Sequence, residues 1–578
     1  MSNNNINIST VLRALAAHQP QHTALIEENG KHGKHGKHNI HKMSYAELEK
    51  VSDNFAYQMQ ARGIKAGDKV LIFLLPKLNF PIVMWGLFKL GAIPVLLDPG
   101  MGVRNLLASI AHIAPLVLIT EPKGILLRLL FAKKFCSTKL CISTKKIPGA
   151  NIFRCEKLSD FFLPMPSAAA PFPLARPATP SATSAILFTS GGTGIPKGVV
   201  YTHEIFHQQI AMMQQEFKLT PNDIDLPGFP FFALFTLAMG VTIILPPLNP
   251  SKPAQADPQL IVDALLRHQV SFAAGSPAIW SKVANYCTEK NITIPSMKSL
   301  LMFGAPVDPE IHRQFSHILT NGTTYTPYGA TEALPLTNIT GKEILQAGID
   351  AYHHGAGMLV GRPWPMVEIR IMEIDEHVQN DWSKIRILPC EERGEIIVSG
   401  PTVTSEYCQM PEKTALAKIY QQHPNSAKVT LWHRMGDLGY LDQQGRLWFC
   451  GRKDHLLQTR HGPLYPIPCE AIFNQHQAVF RSALIGIQEK KGEKKNMPLT
   501  PAIVIERKDH RVKLSPQEQE VFENELISLA KHHAHTAHIA YIFYHPSFPV
   551  DVRHNIKIDR QKLQYWAQGV FEKRRPFF

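Results

Sequence analysis

The stretch from Ile186 to His203, ILFTSGGTGIPKGVVYTH, does most to narrow what this chain can fold into. An apolar run stops at a loop of hydroxyls and glycines, the loop closes on Pro196-Lys197-Gly198, and a β-branched run from Val199 to Thr202 follows. The pattern predicts strand, loop, strand. Gly191, Gly192, Gly194 and Gly198 let backbone N–H groups approach an anion with no Cβ in the way. Thr189, Ser190 and Thr193 add hydroxyl donors, and Lys197 adds a positive charge. Such a cradle suits the phosphate tail of a nucleoside triphosphate. It is not a Walker loop, because the Gly-Lys-Ser/Thr that opens a helix is missing.

At 578 residues the chain exceeds one ordinary core, which predicts a large domain and at least one smaller one. A hydrophobic content of 44% with 19% charged residues is ordinary for a globular enzyme, so disorder is not the default. The net charge of +14 raises nucleic acid as a partner. Its basic residues are scattered, however, and no recognition-helix, RNP-type or zinc-finger pattern accompanies them, so anionic small ligands or a lipid head-group surface fit better. Eight cysteines are spread widely, and the close pair Cys136 and Cys141 lacks a second pair to complete a metal site. Reduced thiols and a cytoplasmic location are expected. The opening MSNNNINIST has neither the basic flank nor the apolar core of a secretory signal. Two apolar stretches, Phe80 to Leu97 and Phe232 to Leu245, read as buried elements: the first carries Lys89 and two prolines, and the second is shorter than the ~20 residues a spanning helix needs.

Along the chain, the first thirty residues read as short helix-like segments. KHGKHGKHNIHK, Lys31 to Lys42, holds four histidines with nothing to fix their geometry, so a solvated hairpin insertion is expected rather than a metal site. The pattern from Met43 to Gly67 predicts an amphipathic helix ended by Gly63. LIFLLP, the helix Phe80 to Leu90 and the strand Ala92 to Leu97 then make a βαβ unit. KGILLRLLFAKKF, residues 123 to 135, is a basic amphipathic helix that could lie on an anionic membrane; the expectation is an ordinary surface helix with its Leu face on the core. A Pro/Ala/Ser-rich connector runs from Leu163 to Ser184, and a helix follows the glycine loop from Glu204 to Phe217.

Three further motifs carry chemistry. In YTPYGATE, Tyr325 to Glu332, Tyr328 offers an aromatic face for a purine, Gly329 lets backbone approach, Thr331 can donate to a phosphate, and the Glu332 carboxylate can hold Mg²⁺. Within WHRMGDLGYLDQQGRLWFCGRKD, Trp432 to Asp454, Asp437 can accept two hydroxyls at once, and a hairpin turns at Gln443-Gln444-Gly445. A structural salt bridge is the plain alternative for Asp437 and Arg452. Near the end, FPVDVRHNIKIDR contains Lys557.

In this order, the strings resemble the motif series of the adenylate-forming superfamily of acyl-CoA synthetases, luciferases and peptide-synthetase adenylation domains. The resemblance covers about residues 10 to 570; its one departure in the glycine loop is Gly192, where the family carries Ser or Thr. It implies an α/β fold: a large N-terminal domain of α/β layers with mixed sheets, residues 1–451, and a small α+β C-terminal domain, residues 452–578, joined at a hinge. It also implies roles. Thr189 to Gly194 and Lys197 would hold ATP phosphates; Gly304, Ala305 and Pro306 would pass beneath adenine with Tyr328 and Gly329 beside it; Asp437 would take the ribose hydroxyls, and Arg452 the ribose or phosphate. Glu332 would bind the metal, Thr331 the α-phosphate, and Lys557 would face the reacting carboxylate as a catalytic cation. Phe229, Phe231, Phe232 and Phe235, with Gly275 and Ser276, would line an acyl pocket, and Asp454 would be the pivot.

The strings DPGMG, FPFFALF, TALAKI and FPVDVRHNIKI look like the olefin-pathway β-lactone synthetases of that superfamily. That implies ATP-dependent activation of a long-chain 2-alkyl-3-hydroxy acid to an acyl-adenylate, then attack by its own β-hydroxyl to close a lactone and release AMP. ATP and Mg²⁺ are the implied cofactors, with CoA needed only if the chain is a long-chain acyl-CoA ligase instead. A dead nucleotide- or acyl-binding scaffold is the third reading. The expected partners are the lipid substrate, ATP and other lipid-pathway enzymes, with no nucleic acid. His203 and His207 are candidates for the hydroxyl's base, with a structural role the plainer alternative.

Overall fold

Short apolar runs that alternate with amphipathic helices can hide both faces of a strand only by stacking parallel sheets between helices. The computed structural model describes residues 6–29, 39–146, 155–164, 178–189, 196–229, 231–246, 248, 253–379, 381–424, 426–489, 498–509, 511–550 and 558–574. Among them, one seven-stranded sheet orders as 155–157, 140–143, 117–120, 69–73, 93–96, 183–189 and 197–202, parallel up to its final antiparallel pair. A second orders as 323–325, 299–302, 272–275, 224–227, 242–245, 23–29 and 39–44, again closed by an antiparallel strand. The helices Tyr45–Ala61 and Asn79–Leu90 join the largest core cluster, which takes residues from both sheets. An eight-stranded antiparallel assembly spans 328–452. Beyond it lie a hairpin at 457–464, a three-stranded sheet of 479–487, 500–507 and 541–544, and the helix Arg560–Arg574, which form the small C-terminal domain.

The mixed α/β class is therefore as expected, and local readings hold where a cap or a buried face backs them. Ser44 and Glu47 form a capping box, with Glu47 N–H donating to Ser44 Oγ at 3.2 Å, so the helix begins at Tyr45 and Met43 stays in the preceding strand. Lys89 is fully buried in the apolar segment and meets Glu49 and Asp53, each at 2.7 Å. The His-rich stretch joins the antiparallel strands Thr23–Asn29 and Asn39–Ser44, in keeping with a hairpin; residues 30–38 themselves lie outside the described residues.

Other readings need correction. After the helix Ser9–His18, residues 23–29 are strand rather than helix, because Leu25 and Ile26 pack into different core clusters on opposite faces of a sheet. The helix read over 123–135 ends at Leu130 and is followed by a separate 3-10 turn, Ala132–Phe135. Its core contact is made by Ile125, Leu127 and Phe135, while Leu126, Leu129 and Leu130 are exposed. Cys141 stands in register with Cys155 on the neighbouring strand.

One core group stands out energetically. Asp225 is fully buried; Thr236 Oγ1 donates to its Oδ2 at 2.6 Å, and its Oδ1 has no partner. Burial pushes its carboxyl up to about 7. A raised folded-state value means stability present in acid and lost as pH climbs through 7. Asp225→Asn should therefore match the wild type only below about pH 4, gain on it as pH rises from there to 7, and exceed it by roughly 1–3 kcal/mol at pH 8 in urea unfolding.

Candidate active site

The glycine loop is the tip of an antiparallel hairpin, Thr183–Thr189 with Lys197–Thr202, whose register sets Thr189 opposite Lys197 at the loop's mouth. Ser190 to Gly194 lie outside the described residues. The hairpin's outer edge is paired in turn: Cys408 N–H donates to the Gly198 carbonyl at 2.7 Å, and Val199 bridges to Tyr407. That pairing lays the Tyr407 ring beneath Lys197, with Nζ 4.8 Å from its centroid. Tyr407 then donates its hydroxyl to Glu332 Oε1 at 2.9 Å. From the same hairpin, Tyr201 donates to the Thr331 carbonyl at 2.7 Å.

Glu332 is fixed from a second side as well. Thr404 donates both its N–H and its hydroxyl to the Glu332 carbonyl at 2.9 Å, and the Lys418 ammonium donates to the Thr404 carbonyl. Burial lowers Lys197 below the usual lysine range, with Glu332 pulling the other way. Lys418 is buried more deeply and falls to about 7 for the same reason. Tyr407 is raised by burial and by the Glu332 charge. Two lysines, one carboxylate and a phenol thus share one partly dry corner, where charge is felt strongly.

Beside it, Asp437 is buried on the long strand Val429–Leu441, in register with Arg452. Arg452 donates to Oδ1 at 2.6 Å and the Tyr328 hydroxyl to Oδ2 at 2.6 Å, so the salt bridge is present. Burial raises the Asp437 carboxyl while both donors oppose the rise; attraction to Asp437 raises Arg452. A carboxylate offers about four lone-pair sites, so two remain for further hydroxyls. The Tyr328 ring packs on Phe449, with centroids 6.0 Å apart. Gly329 is exposed in the short strand Tyr328–Ala330.

Gly275, Ser276 and Gly304 to Pro306 lie at the carboxyl ends of parallel strands, the edge at which open α/β sheets bind ligands. Gly275 ends the strand Phe272–Gly275, and Gly304, Ala305 and Pro306 follow the strand Ser299–Met302, with Gly304 at φ +90°. Phe232 and Phe303 rings lie 4.8 Å apart, and Phe229 is 5.5 Å from Phe303. Phe231 and Phe232 are partly exposed, whereas Phe235 is buried against Phe206 at 5.8 Å. Ser276 is fully buried and caps the helix Pro277–Lys290 through Ala278 N–H. Asp454 lies in a 3-10 turn, Lys453–His455, directly after the strand that carries Arg452. Lys557 lies outside the described residues. His203 and His207 anchor the N-terminal segment, His203 Nδ1 accepting from Ile8 N–H at 3.2 Å and His207 Nε2 lying 3.0 Å from the Ile6 carbonyl. Burial lowers His203 to about 4.

The AMP-binding enzyme family model matches residues 12–408, more than half of the sequence and all of the hairpin, Glu332 and Tyr407. The chain belongs to the AMP-binding enzyme family. It is an AMP-forming ligase, 37% identical over 97% of both chains to an olefin beta-lactone synthetase of Xanthomonas campestris pv. campestris and 36% identical, over 92% of both, to one of Stenotrophomonas maltophilia. In fold it is similar to ATP-bound MatB from Rhodopseudomonas palustris, with TM-score 0.75, 20% identity and coverage of 98% of this chain and 100% of that one.

Sequence reasoning missed Tyr407, Thr404, Tyr201 and Lys418 in this AMP-binding enzyme. No periodicity marks them: each acts through a contact with a residue 14 to 130 positions away. Tyr407→Phe should keep the fold and slow ATP–pyrophosphate exchange by about tenfold, since one hydrogen bond to a charged group is lost. A lowered folded-state lysine adds stability above its unfolded value and loses it as pH falls through 7. In urea unfolding, the wild type should therefore gain on Lys418→Met as pH rises from 7 towards 10.

Proposed function

We propose that the protein activates a long-chain 2-alkyl-3-hydroxy acid with ATP and closes it to a β-lactone. The first half is supported by the convergence of Lys197, Glu332, Tyr328, Asp437 and Arg452 on one face. A carboxylate oxygen of the acid attacks the α-phosphorus, the bond to the β-phosphate oxygen breaks, and pyrophosphate leaves. Lys197 offsets charge on the leaving phosphates, Thr331 lies beside the α-phosphate, and Asp437 with Arg452 holds the ribose. Glu332, steadied by Tyr407 and Thr404, would hold Mg²⁺, which supplies charge neutralisation at the phosphates. A lone carboxylate fits this ion, since Mg²⁺ beside phosphates takes one or two, and no cluster of three His, Cys, Asp or Glu occurs among the described residues.

For the second half, the substrate's own β-hydroxyl oxygen attacks the acyl carbonyl, the bond to AMP breaks and the hydroxyl proton is lost. The observation that carries this step is full-length similarity to two proteins named olefin beta-lactone synthetase. Phe229, Phe231 and Phe232 with Phe303 suit an aliphatic chain. We assign residues 452–578 to a domain that turns about Asp454 between the two steps and brings Lys557 to the reacting carboxylate. The eight free cysteines, together with the use of ATP, suit the cytoplasm.

Purified protein with Mg·ATP and such an acid, with and without CoA, tests the reading by product mass. A product one water lighter than the acid, formed with AMP and without CoA, is expected, and Lys557→Ala should lower its rate at least 100-fold. A thioester that forms only with CoA would establish an acyl-CoA ligase instead.

A further inference from the structure

The helix Pro122–Leu130 and the turn after it present an unusual surface. Helices on a globular enzyme normally bury their apolar stripe and expose their charges. Here Ile125 is buried in the cluster that also contains Phe188, Val200 and Cys408 behind the phosphate hairpin, and Leu127 packs against that cluster partly buried. The outward stripe is apolar: Leu126, Leu129 and Leu130 stand at i, i+3 and i+4 and are 58%, 43% and 68% exposed, and Phe131 follows at 38%. Single exposed leucines are ordinary, but four neighbouring apolar side chains on one face mark a docking surface.

Charge indicates what docks. Residues 122–146 contain seven Lys and Arg and no Asp or Glu, half of the whole chain's net +14. Lys123 opens the helix, Lys133 and Lys134 close the apolar ridge, and all three are exposed. Lys145 and Lys146 are exposed at the carboxyl end of the adjacent strand Leu140–Ser143, which pairs with the strand Val117–Thr120 that leads into the helix. Apolar ridge and cations together are the chemistry of an interfacial helix, which sinks leucine and phenylalanine among acyl chains while lysines meet anionic head groups. No helix of the described residues is long and apolar enough to cross a membrane, so contact would be to one leaflet.

We propose that this ridge docks the enzyme on an anionic lipid bilayer surface. The proposal goes beyond the assigned activity and does not depend on it, because binding is read without turnover. Docking would place a long-chain acid, itself held in a bilayer, beside the protein that consumes it.

The test is co-sedimentation of the full chain with phosphatidylglycerol vesicles and with phosphatidylcholine vesicles at low salt and at 0.5 M NaCl. Binding at least tenfold stronger to phosphatidylglycerol is expected, weakened by salt. Lys133→Glu with Lys134→Glu, and separately Leu126→Ser with Leu130→Ser, should each reduce it at least fivefold. These side chains are exposed, so unchanged thermal unfolding should accompany the loss. Leu130→Trp should show a blue shift and quenching by brominated acyl chains on phosphatidylglycerol vesicles. Equal binding by wild type and both double variants would overturn the proposal. So would a dimer that Leu126→Ser with Leu130→Ser dissociates while vesicles bind nothing, which would assign the ridge to a second copy of the chain.

Discussion

The outer-edge pairing of the phosphate hairpin is the contact on which the rest of the site depends. A two-stranded hairpin leaves one row of backbone donors and acceptors unpaired, and residues 406–408 fill it through Cys408 N–H to the Gly198 carbonyl and Val200 N–H to the Glu406 carbonyl. One strand order therefore does two things. It satisfies buried backbone, and it carries Tyr407 under Lys197 and against Glu332. The carboxylate is consequently held by a segment that reaches it only because the antiparallel assembly packs on the parallel sheet.

Electrostatics follow from that packing. Lys197, Lys418 and Asp437 are buried or partly buried beside the Glu332 carboxylate, with the half-exposed Arg452 closing the corner towards solvent. Burial discourages charge on both lysines and on Asp437, while the opposite charges nearby restore part of it. A polyanionic ligand entering such a corner would meet cations that bulk water screens little.

Much was legible in the residues. The glycine loop had to be strand, loop, strand, because β-branched runs flank it and the Gly-Lys-Ser/Thr of a helix opening is missing; Thr189 and Lys197 do face one another at its mouth. Lys89 in an apolar run argued against a membrane span, and it has two carboxylate partners. The helix at 122–130 was legible as basic and amphipathic, but not which face turns inward. A leucine stripe looks the same whether it faces core or solvent, and here packing places Ile125 and Leu127 inward and Leu126, Leu129 and Leu130 outward.

The sequence by itself determined the alternation of strands and helices, the phosphate loop and the motif series of an AMP-forming enzyme, since these rest on local periodicity, turn chemistry and residue type. Tertiary structure alone decided that Asp437 bonds Arg452 and Tyr328 together, that His203 and His207 tie down the N-terminal segment, and that Tyr407, Thr404 and Lys418 converge on Glu332. The physical reason is distance along the chain. Each of these contacts joins residues 14 to 201 positions apart, and the burial that shifts their charges exists only once the sheets have packed.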